Sequence, residues 1–264
     1  VRASPWNCAL HTQLCHKSMS EASNANKQMA AQVANSLKSC SAKVLRAFES
    51  STFAAKYKNP TRLVAVSKLK PCELLQAVYD EGHRHFGENY VKELREKAPQ
   101  MPPDMKWHFI GHLQSNKCGA LVKGVPSLYM VETVDTVKLA NKLNNACVNA
   151  GRKEKLKVLV QVNTSGEEQK SGCQPSETTE IVKHVLSSCD RLDFAGLMTI
   201  GVYGEGAEEC FDVLVKCREQ VAKDISVDPL ELELSMGMSG DFESAIAMGS
   251  TNVRCGSTIF GART

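Results

Sequence analysis

The sequence predicts an α/β fold in which eight short parallel strands alternate with helices. The chain has 264 residues, enough to bury the core of one barrel-sized domain or of two small ones. Eight apolar runs of strand length recur along it, and segments with helical periodicity separate them. Strands that alternate with helices form right-handed βαβ units, and eight such units closed on themselves make a (β/α)8 barrel.

The strand predictions rest on short runs rich in apolar and β-branched residues. In chain order they are LVAVS (63–67), RHF (84–86), WHFI (107–110), LYMV (128–131), KVLVQV (157–162), DFAGLM (193–198), LELEL (230–234) and NVR (252–254). An open, doubly wound sheet is the alternative arrangement of the same elements. It requires a glycine-rich turn after the first strand, whereas the segment there reads SKLKP. The closed barrel is therefore favoured.

The helix predictions rest on apolar residues three and four positions apart. After the fourth strand one face carries Val137, Ala140, Leu143 and Cys147, and Gly151 is a C-terminal stop. An amphipathic helix is also expected within 25–57, with apolar positions at Met29, Val33, Leu37, Cys40, Val44 and Phe48. Since few residues follow the last strand, we expect this N-terminal helix to cover the barrel where an eighth helix is short.

Composition excludes several classes of protein. The formal net charge is +3 without a Lys/Arg-rich run, so nucleic-acid binding is not indicated. No apolar stretch approaches the ~20 residues that span a bilayer, so no membrane association is expected. The 11 cysteines are scattered, with no CxxC spacing, which favours a reducing compartment and a cytoplasmic protein.

The chain is expected to consist of an N-terminal extension followed by one folded domain. Residues 1–24 are interpreted as a disordered or targeting extension, and the first 20 of them contain no acidic residue. Mitochondrial or plastid targeting by this extension is the alternative to a cytoplasmic location. Residues 25–264 are expected to form a single barrel domain.

Polar residues follow the predicted strands at the end where functional residues of barrels collect. Lys68 comes directly after the first strand, and Asn89 follows the second. After the last strand Arg254 precedes a loop of glycine and hydroxyl residues, Gly256, Ser257 and Thr258, and Ser235 follows the seventh predicted strand. Loops after strands seven and eight commonly bind phosphate, so an anion site is expected here.

Lys68 has three interpretations. Its ammonium can bind the phosphate as a point charge, or its desolvated neutral amine can attack a carbonyl group. It can also extend past the end of the strand into solvent, which is the common behaviour of lysine. The spacing alone leaves these alternatives open.

Six long segments resemble one known family: LVAVSKLKP, HFGENYVKEL, WHFIGHLQSNK, VLVQVNTSGEEQKSG, GLMTIG and ELSMGMSGDFESAIAMGSTNVRCGSTIFGAR. They lie between residues 62 and 263, which is most of the chain. On these motifs the sequence resembles the YggS/PROSC family, the pyridoxal phosphate homeostasis proteins. The resemblance implies one (β/α)8 TIM-like barrel of the alanine-racemase N-terminal-domain type with an extra N-terminal helix.

The resemblance also implies a site for pyridoxal 5'-phosphate (PLP). It implies that Lys68 holds PLP as a Schiff base, that Asn89 lies near the ring hydroxyl and that Arg254 faces the pyridine nitrogen. The phosphate is expected among Ser235, Gly256, Ser257 and Thr258.

The implied function is intracellular vitamin B6 homeostasis, in which the protein holds and buffers PLP and delivers it to apo PLP-dependent enzymes. A guanidinium only donates hydrogen bonds, so a ring nitrogen that faces Arg254 stays unprotonated and is a weak electron sink. Neither the additional β-domain of racemases nor a second acid/base motif is expected in this protein. No catalytic residue is therefore predicted.

The remaining expectations concern metal binding, alternative functions and the oligomeric state. No metal site is predicted, because His108 and His112 lie on a strand-to-loop segment and do not share a helix face. The alternative functions are a weak PLP-dependent amino-acid racemase or lyase and a Schiff-base aldolase for a phosphorylated sugar. We expect a monomer or a weak dimer.

Overall fold

The computed structural model describes residues 6–202 and 204–262. All pairs of neighbouring strands are parallel, and the strands close into a barrel in chain order. They are β1 (Arg62–Val66), β2 (His85–Glu88), β3 (Lys106–Phe109), β4 (Leu128–Val134), β5 (Leu156–Gln161), β6 (Leu192–Met198), β7 (Glu233–Met238) and β8 (Asn252–Cys255). Because β1 pairs with β8, the predicted barrel is confirmed and the open sheet is excluded.

The helices lie between consecutive strands, one after each strand, with α1 ahead of the barrel. Their bounds are α1 (Trp6–Glu49), α2 (Cys72–Asp80), α3 (Val91–Lys97), α4 (Cys118–Gly124), α5 (Val137–Asn149), α6 (Thr178–Ser188), α7 (Ala207–Ile225), α8 (Phe242–Ala247) and α9 (Ser257–Phe260). The prediction around Val137 is confirmed: the Thr136 hydroxyl caps α5 by accepting from the Leu139 N–H at 3.2 Å.

Helix α1 packs on α2, α8 and α9, so it covers the barrel beside the short last helix, as expected. Its buried face comprises Val33, Leu37, Cys40, Val44 and Phe48. The helix begins at Trp6, well before the predicted start near residue 25, and ends at Glu49 rather than near residue 57. Residues 1–5 lie outside the described part, and the division of the chain at residue 24 stays a prediction. No described helix is both long and apolar enough to cross a bilayer.

The seventh strand differs from its prediction. The run 230–234 alternates apolar and acidic residues, a pattern typical of a half-buried strand. Instead Pro229 begins a 3-10 turn that the Asp228 carboxylate caps by accepting from the Leu230 N–H at 2.8 Å. The strand starts at Glu233, about three residues later than predicted. Ser235 therefore lies inside β7 and not in the loop after it.

The barrel interior combines a small apolar cluster with buried polar groups. The apolar cluster consists of Met130, Leu159 and Met198, from three successive strands. The polar side chains come from β3, β4, β7 and β8 and are His108, Glu132, Ser235, Asn252 and Arg254, all less than 5% exposed. A barrel filled only with apolar layers would be the simpler packing, so this polar set indicates a functional requirement.

Candidate functional site

Lys68 lies in a tight turn at the carboxyl end of β1. The Ser67 N–H donates to the carbonyl oxygen of Gly87 on β2, and the Lys70 N–H donates to the Ser67 carbonyl, closing the turn. Leu69, the third residue of the turn, has φ +60°, a left-handed conformation that is unfavourable for a side chain with a Cβ. Lys68 itself is half-buried at the barrel mouth.

A buried ion cluster holds this turn. The Lys97 ammonium donates to the Ser67 carbonyl oxygen at 2.8 Å, to Glu88 Oε1 at 2.7 Å and to Glu93 Oε1 at 2.5 Å. Glu93 Oε1 also accepts from the Leu69 N–H at 2.6 Å. The cluster thus binds the peptide groups on both sides of Lys68.

The charges of this cluster depend on each other. Burial raises the pKa of Glu88, and the charge and hydrogen bond of Lys97 oppose that rise. The Lys97 side chain is 8% exposed and that of Glu88 is fully buried, so neither charge is compensated by water. Sequence reasoning missed Lys97. The sequence feature that could have indicated its role is the spacing of four residues between Glu93 and Lys97 on a short helix, which allows an ion pair.

Arg254 is buried inside the barrel below the mouth. Its Nη1 donates to the Ser235 hydroxyl at 2.5 Å, and its Nη2 donates to the Thr199 carbonyl oxygen at 2.7 Å. Burial lowers the pKa of Arg254, while the charges of Glu132 and Asp241 oppose that shift. A guanidinium has five N–H donors, so these two bonds leave others available for a ligand.

Glu132 connects Arg254 to the rest of the interior. Its Oε2 accepts from the Ser235 hydroxyl at 2.5 Å, and its Oε1 accepts from Asn252 Nδ2 at 3.0 Å and lies 2.6 Å from His108 Nδ1. Burial alone would raise the pKa of Glu132. The hydrogen bond and charge of His108, together with Arg254 and Ser235, lower it to about 2. The buried carboxylate is thus held ionised.

The predicted phosphate loop lies beside the Lys68 turn. Ala65 of β1 pairs with Cys255 of β8, so the two segments leave the barrel at the same level. A Cβ atom added at Gly256 would lie 3.3 Å from Val66, which shows how closely the loop follows β1. The N–H groups of Gly256 and Thr258 donate to the Ser239 hydroxyl at 3.3 and 3.4 Å. These bonds are long for N–H···O geometry.

Asn89 follows β2 and is fixed by a close backbone contact. A Cβ atom added at Gly111 would lie 2.1 Å from the Asn89 carbonyl oxygen, so the segment after β3 rests directly on Asn89. Thr133 holds Gly111 in turn, because its hydroxyl donates to the Gly111 carbonyl oxygen at 2.8 Å. The Asn89 Oδ1 atom is buried and has no hydrogen-bond partner among the described residues.

The structure brings most of the predicted site residues together on adjacent strands. Lys68, Asn89 and Arg254 come from β1, β2 and β8, and the loop 256–258 follows β8. Ser235 is on the neighbouring β7 but contacts Glu132 and Arg254 inside the barrel. Ser239 is the hydroxyl that contacts the loop 256–258. Because β7 extends to Met238 instead of ending at Leu234, Ser235 lies within the strand and Ser239 is the serine that follows it.

The two histidines singled out in the sequence lie apart. His108 is buried inside the barrel, whereas His112 is exposed at the mouth, with its Nδ1 3.3 Å from the Ser171 hydroxyl. Among residues 6–202 and 204–262, no group of three His, Cys, Asp or Glu side chains is arranged to hold a metal ion.

Comparison with known proteins identifies the family. Residues 49–264 match the model of the alanine racemase N-terminal domain. The human pyridoxal phosphate homeostasis protein is 52% identical over 211 residues, which cover 76% of this chain and 76% of the human protein. The chain belongs to the pyridoxal phosphate homeostasis protein family. The family member from Caenorhabditis elegans is 42% identical over 228 residues and covers 83% of this chain and 93% of its own.

Solved structures agree with this assignment. PipY of Synechococcus elongatus, solved with PLP bound, is 31% identical with a TM-score of 0.69, over 87% of this chain and 100% of PipY. A protein of Bifidobacterium adolescentis is 32% identical with a TM-score of 0.76, over 88% of this chain and 96% of that protein. Alanine racemase from Corynebacterium glutamicum, at 12% identity and a TM-score of 0.64, shares the fold over 88% of this chain and 61% of the racemase.

Proposed function

We propose that this family member binds PLP at the barrel mouth, holds it as a Schiff base on Lys68 and serves to buffer the cofactor and deliver it to apo PLP-dependent enzymes. The observation that carries the proposal is the adjacency of three groups. The Lys68 turn, the loop 256–258 and the Arg254 guanidinium belong to the paired strands β1 and β8. PLP would supply the aldehyde there, and the neutral Lys68 amine would condense with it with loss of water.

The phosphate loop supplies backbone donors for an anion. The N–H groups of Gly256 and Thr258 now share one weak acceptor, the Ser239 hydroxyl. A phosphate oxygen is a charged and therefore stronger acceptor for the same N–H groups. Ser257 is exposed next to them, and its hydroxyl can add a donor. We propose these three residues as phosphate ligands, and Ser235 as the support of Arg254.

The ring end of PLP also fits the residues present. Asn89 has a buried side-chain oxygen without a described partner, and the phenolic oxygen of PLP can pair with that amide as donor or as acceptor. Burying an amide group without a partner costs about 1–3 kcal/mol. Because Gly111 fixes the Asn89 backbone, this amide is preorganised for a ligand.

Arg254 favours a holding function over catalysis. PLP supplies an electron sink to its enzymes when its ring nitrogen is protonated. Arg254 carries only donors, so it would pair with an unprotonated ring nitrogen, and that sink would then be weak. We therefore propose that robust turnover is absent, and that the protein acts as a monomer or weak dimer.

A weak amino-acid racemase or lyase is the second candidate function. The match to the alanine racemase N-terminal domain over residues 49–264 favours it. Such an enzyme needs a second group that moves a proton at the far face of the substrate. Exchange of the substrate α-hydrogen for deuterium, lost in Lys68→Ala, would separate this candidate from the carrier.

The test of the proposed function is a spectrum followed by chemical trapping. We expect the PLP-loaded protein to absorb visible light and to bleach with borohydride, which fixes the adduct. Peptide mapping should then find the added mass on the peptide that contains Lys68, and Lys68→Ala should lack it. A folded protein that takes up no PLP, or an adduct confined to another lysine, would contradict the proposal.

A further inference from the structure

Glu132 is a buried charge without a role in the site described so far. It lies on β4 with no exposed surface, three strands along the barrel from β1. Its partners come from three other strands: His108 on β3, Ser235 on β7 and Asn252 on β8. An ionised carboxylate is strongly unfavourable inside a protein unless it is paired and hydrogen-bonded. Its placement therefore requires a compensating charge.

Arg254 supplies such a charge in addition to His108, and the Ser235 hydroxyl connects Arg254 to Glu132. A serine hydroxyl has a single hydrogen. Ser235 donates it to Glu132 Oε2 at 2.5 Å, so its oxygen can only accept from Arg254 Nη1, which lies 2.5 Å away. The carboxylate thus sets the direction of the hydroxyl and, through it, the orientation of the guanidinium.

The other carboxylate near Arg254 cannot replace Glu132. Asp241 also acts on the Arg254 charge, but its Oδ1 accepts from the Met238 N–H at 2.5 Å at the start of α8. The Thr199 carbonyl oxygen binds Nη2 without carrying a charge. Among the described residues, Glu132 is therefore the carboxylate that a hydrogen-bonded bridge joins to Arg254.

We propose that Glu132 is the positioning residue for Arg254: through Ser235 it fixes the guanidinium below the barrel mouth, so that the remaining N–H groups face the pyridine nitrogen of PLP. This inference rests on the proposed function. Glu132 touches neither the cofactor nor a substrate, and it acts through the charge and the orientation of Arg254. His108 and Asn252 in turn hold the second carboxylate oxygen in place.

The substitution Glu132→Gln tests the charge while it keeps the shape. The amide can donate to Ser235, which frees the hydroxyl hydrogen to point at Arg254 and breaks the bridge. We expect PLP affinity to fall by about 10–100-fold, by analogy with the loss when a residue that orients a metal ligand is removed. We also expect the nitrogen-15 resonance of the pyridine nitrogen in labelled PLP to move. Thr178→Val, which removes a buried hydroxyl on α6, is the control and should change neither quantity.

A double substitution separates positioning from general packing. In Arg254→Met the Glu132 carboxylate keeps His108 but loses the charge of Arg254, so Glu132→Gln in that background should recover stability to unfolding instead of losing more. It should also leave PLP affinity and the nitrogen-15 resonance unchanged, because the residue through which Glu132 acts is gone.

The outcomes distinguish this inference from the proposed function. If wild type forms no adduct on Lys68, the proposed function is wrong. If wild type binds PLP and folded Glu132→Gln shows the same affinity and the same nitrogen-15 resonance, the positioning role is wrong. Equal losses from Glu132→Gln with and without Arg254 would also overturn it, because they indicate a purely structural carboxylate.

Discussion

The Nζ atom of Lys97 lies 2.8 Å from the carbonyl oxygen of Ser67, the residue directly before Lys68. The same ammonium joins Glu88 to Glu93, and Glu93 accepts from the N–H of Leu69, directly after Lys68. The conformation of the lysine turn therefore depends on a salt bridge that lies outside the turn itself.

Replacing Lys97 by methionine should destabilise the protein and loosen the turn that carries Lys68. The change leaves the buried Glu88 carboxylate and the partly buried Glu93 carboxylate without their counter-charge, and breaking a buried pair in this way costs about 3–5 kcal/mol. We expect the free energy of unfolding in urea to fall by an amount in this range and PLP uptake to slow. Lys92→Met is the matched control on the same helix, since the Lys92 side chain is 89% exposed. A similar effect of both variants would contradict the assignment.

The close approach of Gly111 to Asn89 gives a second prediction. Gly111→Ala puts a methyl group 2.1 Å from the Asn89 carbonyl oxygen, and backbone must move to relieve the overlap. We expect a stability loss of about 1–3 kcal/mol, as for other overpacking changes, and weaker PLP binding. The control is Gly119→Ala in α4, where an added Cβ meets nothing within 4 Å. This change should stabilise the protein by about 0.5–1 kcal/mol. Unfolding curves that place both variants on the same side of wild type would refute the prediction.

The fold and the lysine at the mouth were predictable from the sequence for a physical reason. Strands buried on both faces are nearly continuous apolar runs, so each ends visibly where a polar residue such as Lys68 appears. The pairing of β1 with β8 then brings Arg254 and the loop 256–258 next to it. Local composition and one topological rule sufficed for this part of the site.

The interior of the barrel was not predictable in the same way. Glu132 and Ser235 are 103 positions apart in the chain and meet only because the barrel closes. The alternation of leucine and glutamate at 230–234 predicts a strand there. In the structure the strand starts at Glu233 and contains Gly237, whose φ is +94°. The predicted strand ends at Leu234, which places Ser235 after it, and glycine in a strand interior gives no signal that would extend the strand.

A third prediction concerns pH. The pKa of His85 is lowered to about 2 by burial and then by the neighbouring His108, Arg62 and Lys106. Its ordinary value is 6.5, so below that pH the unfolded chain binds a proton that the folded protein refuses. The stability from neutral His85 is therefore fully present above pH 6.5 and decreases as the pH falls from 6.5 towards about 2. His85→Gln should make the free energy of unfolding depend less steeply on pH in this window. If urea titrations show that the free energy of unfolding changes equally with pH in wild type and in His85→Gln, this assignment is refuted.

The fourth prediction uses the left-handed conformation of Leu69, which has φ +60° and is 64% exposed. Asparagine adopts this conformation more readily than leucine, and the penalty for an ordinary residue is roughly 1–2 kcal/mol. Little apolar burial is lost at such an exposed position, so Leu69→Asn should raise the free energy of unfolding by about 1 kcal/mol. At Leu186, which is 55% exposed on α6, the same change should lower it by about 0.5 kcal/mol, because asparagine is a weaker helix former. Opposite signs at two exposed leucines are the expected result in thermal and urea unfolding. A loss of stability at both positions would mean that the turn before Lys70 is not held in the left-handed conformation.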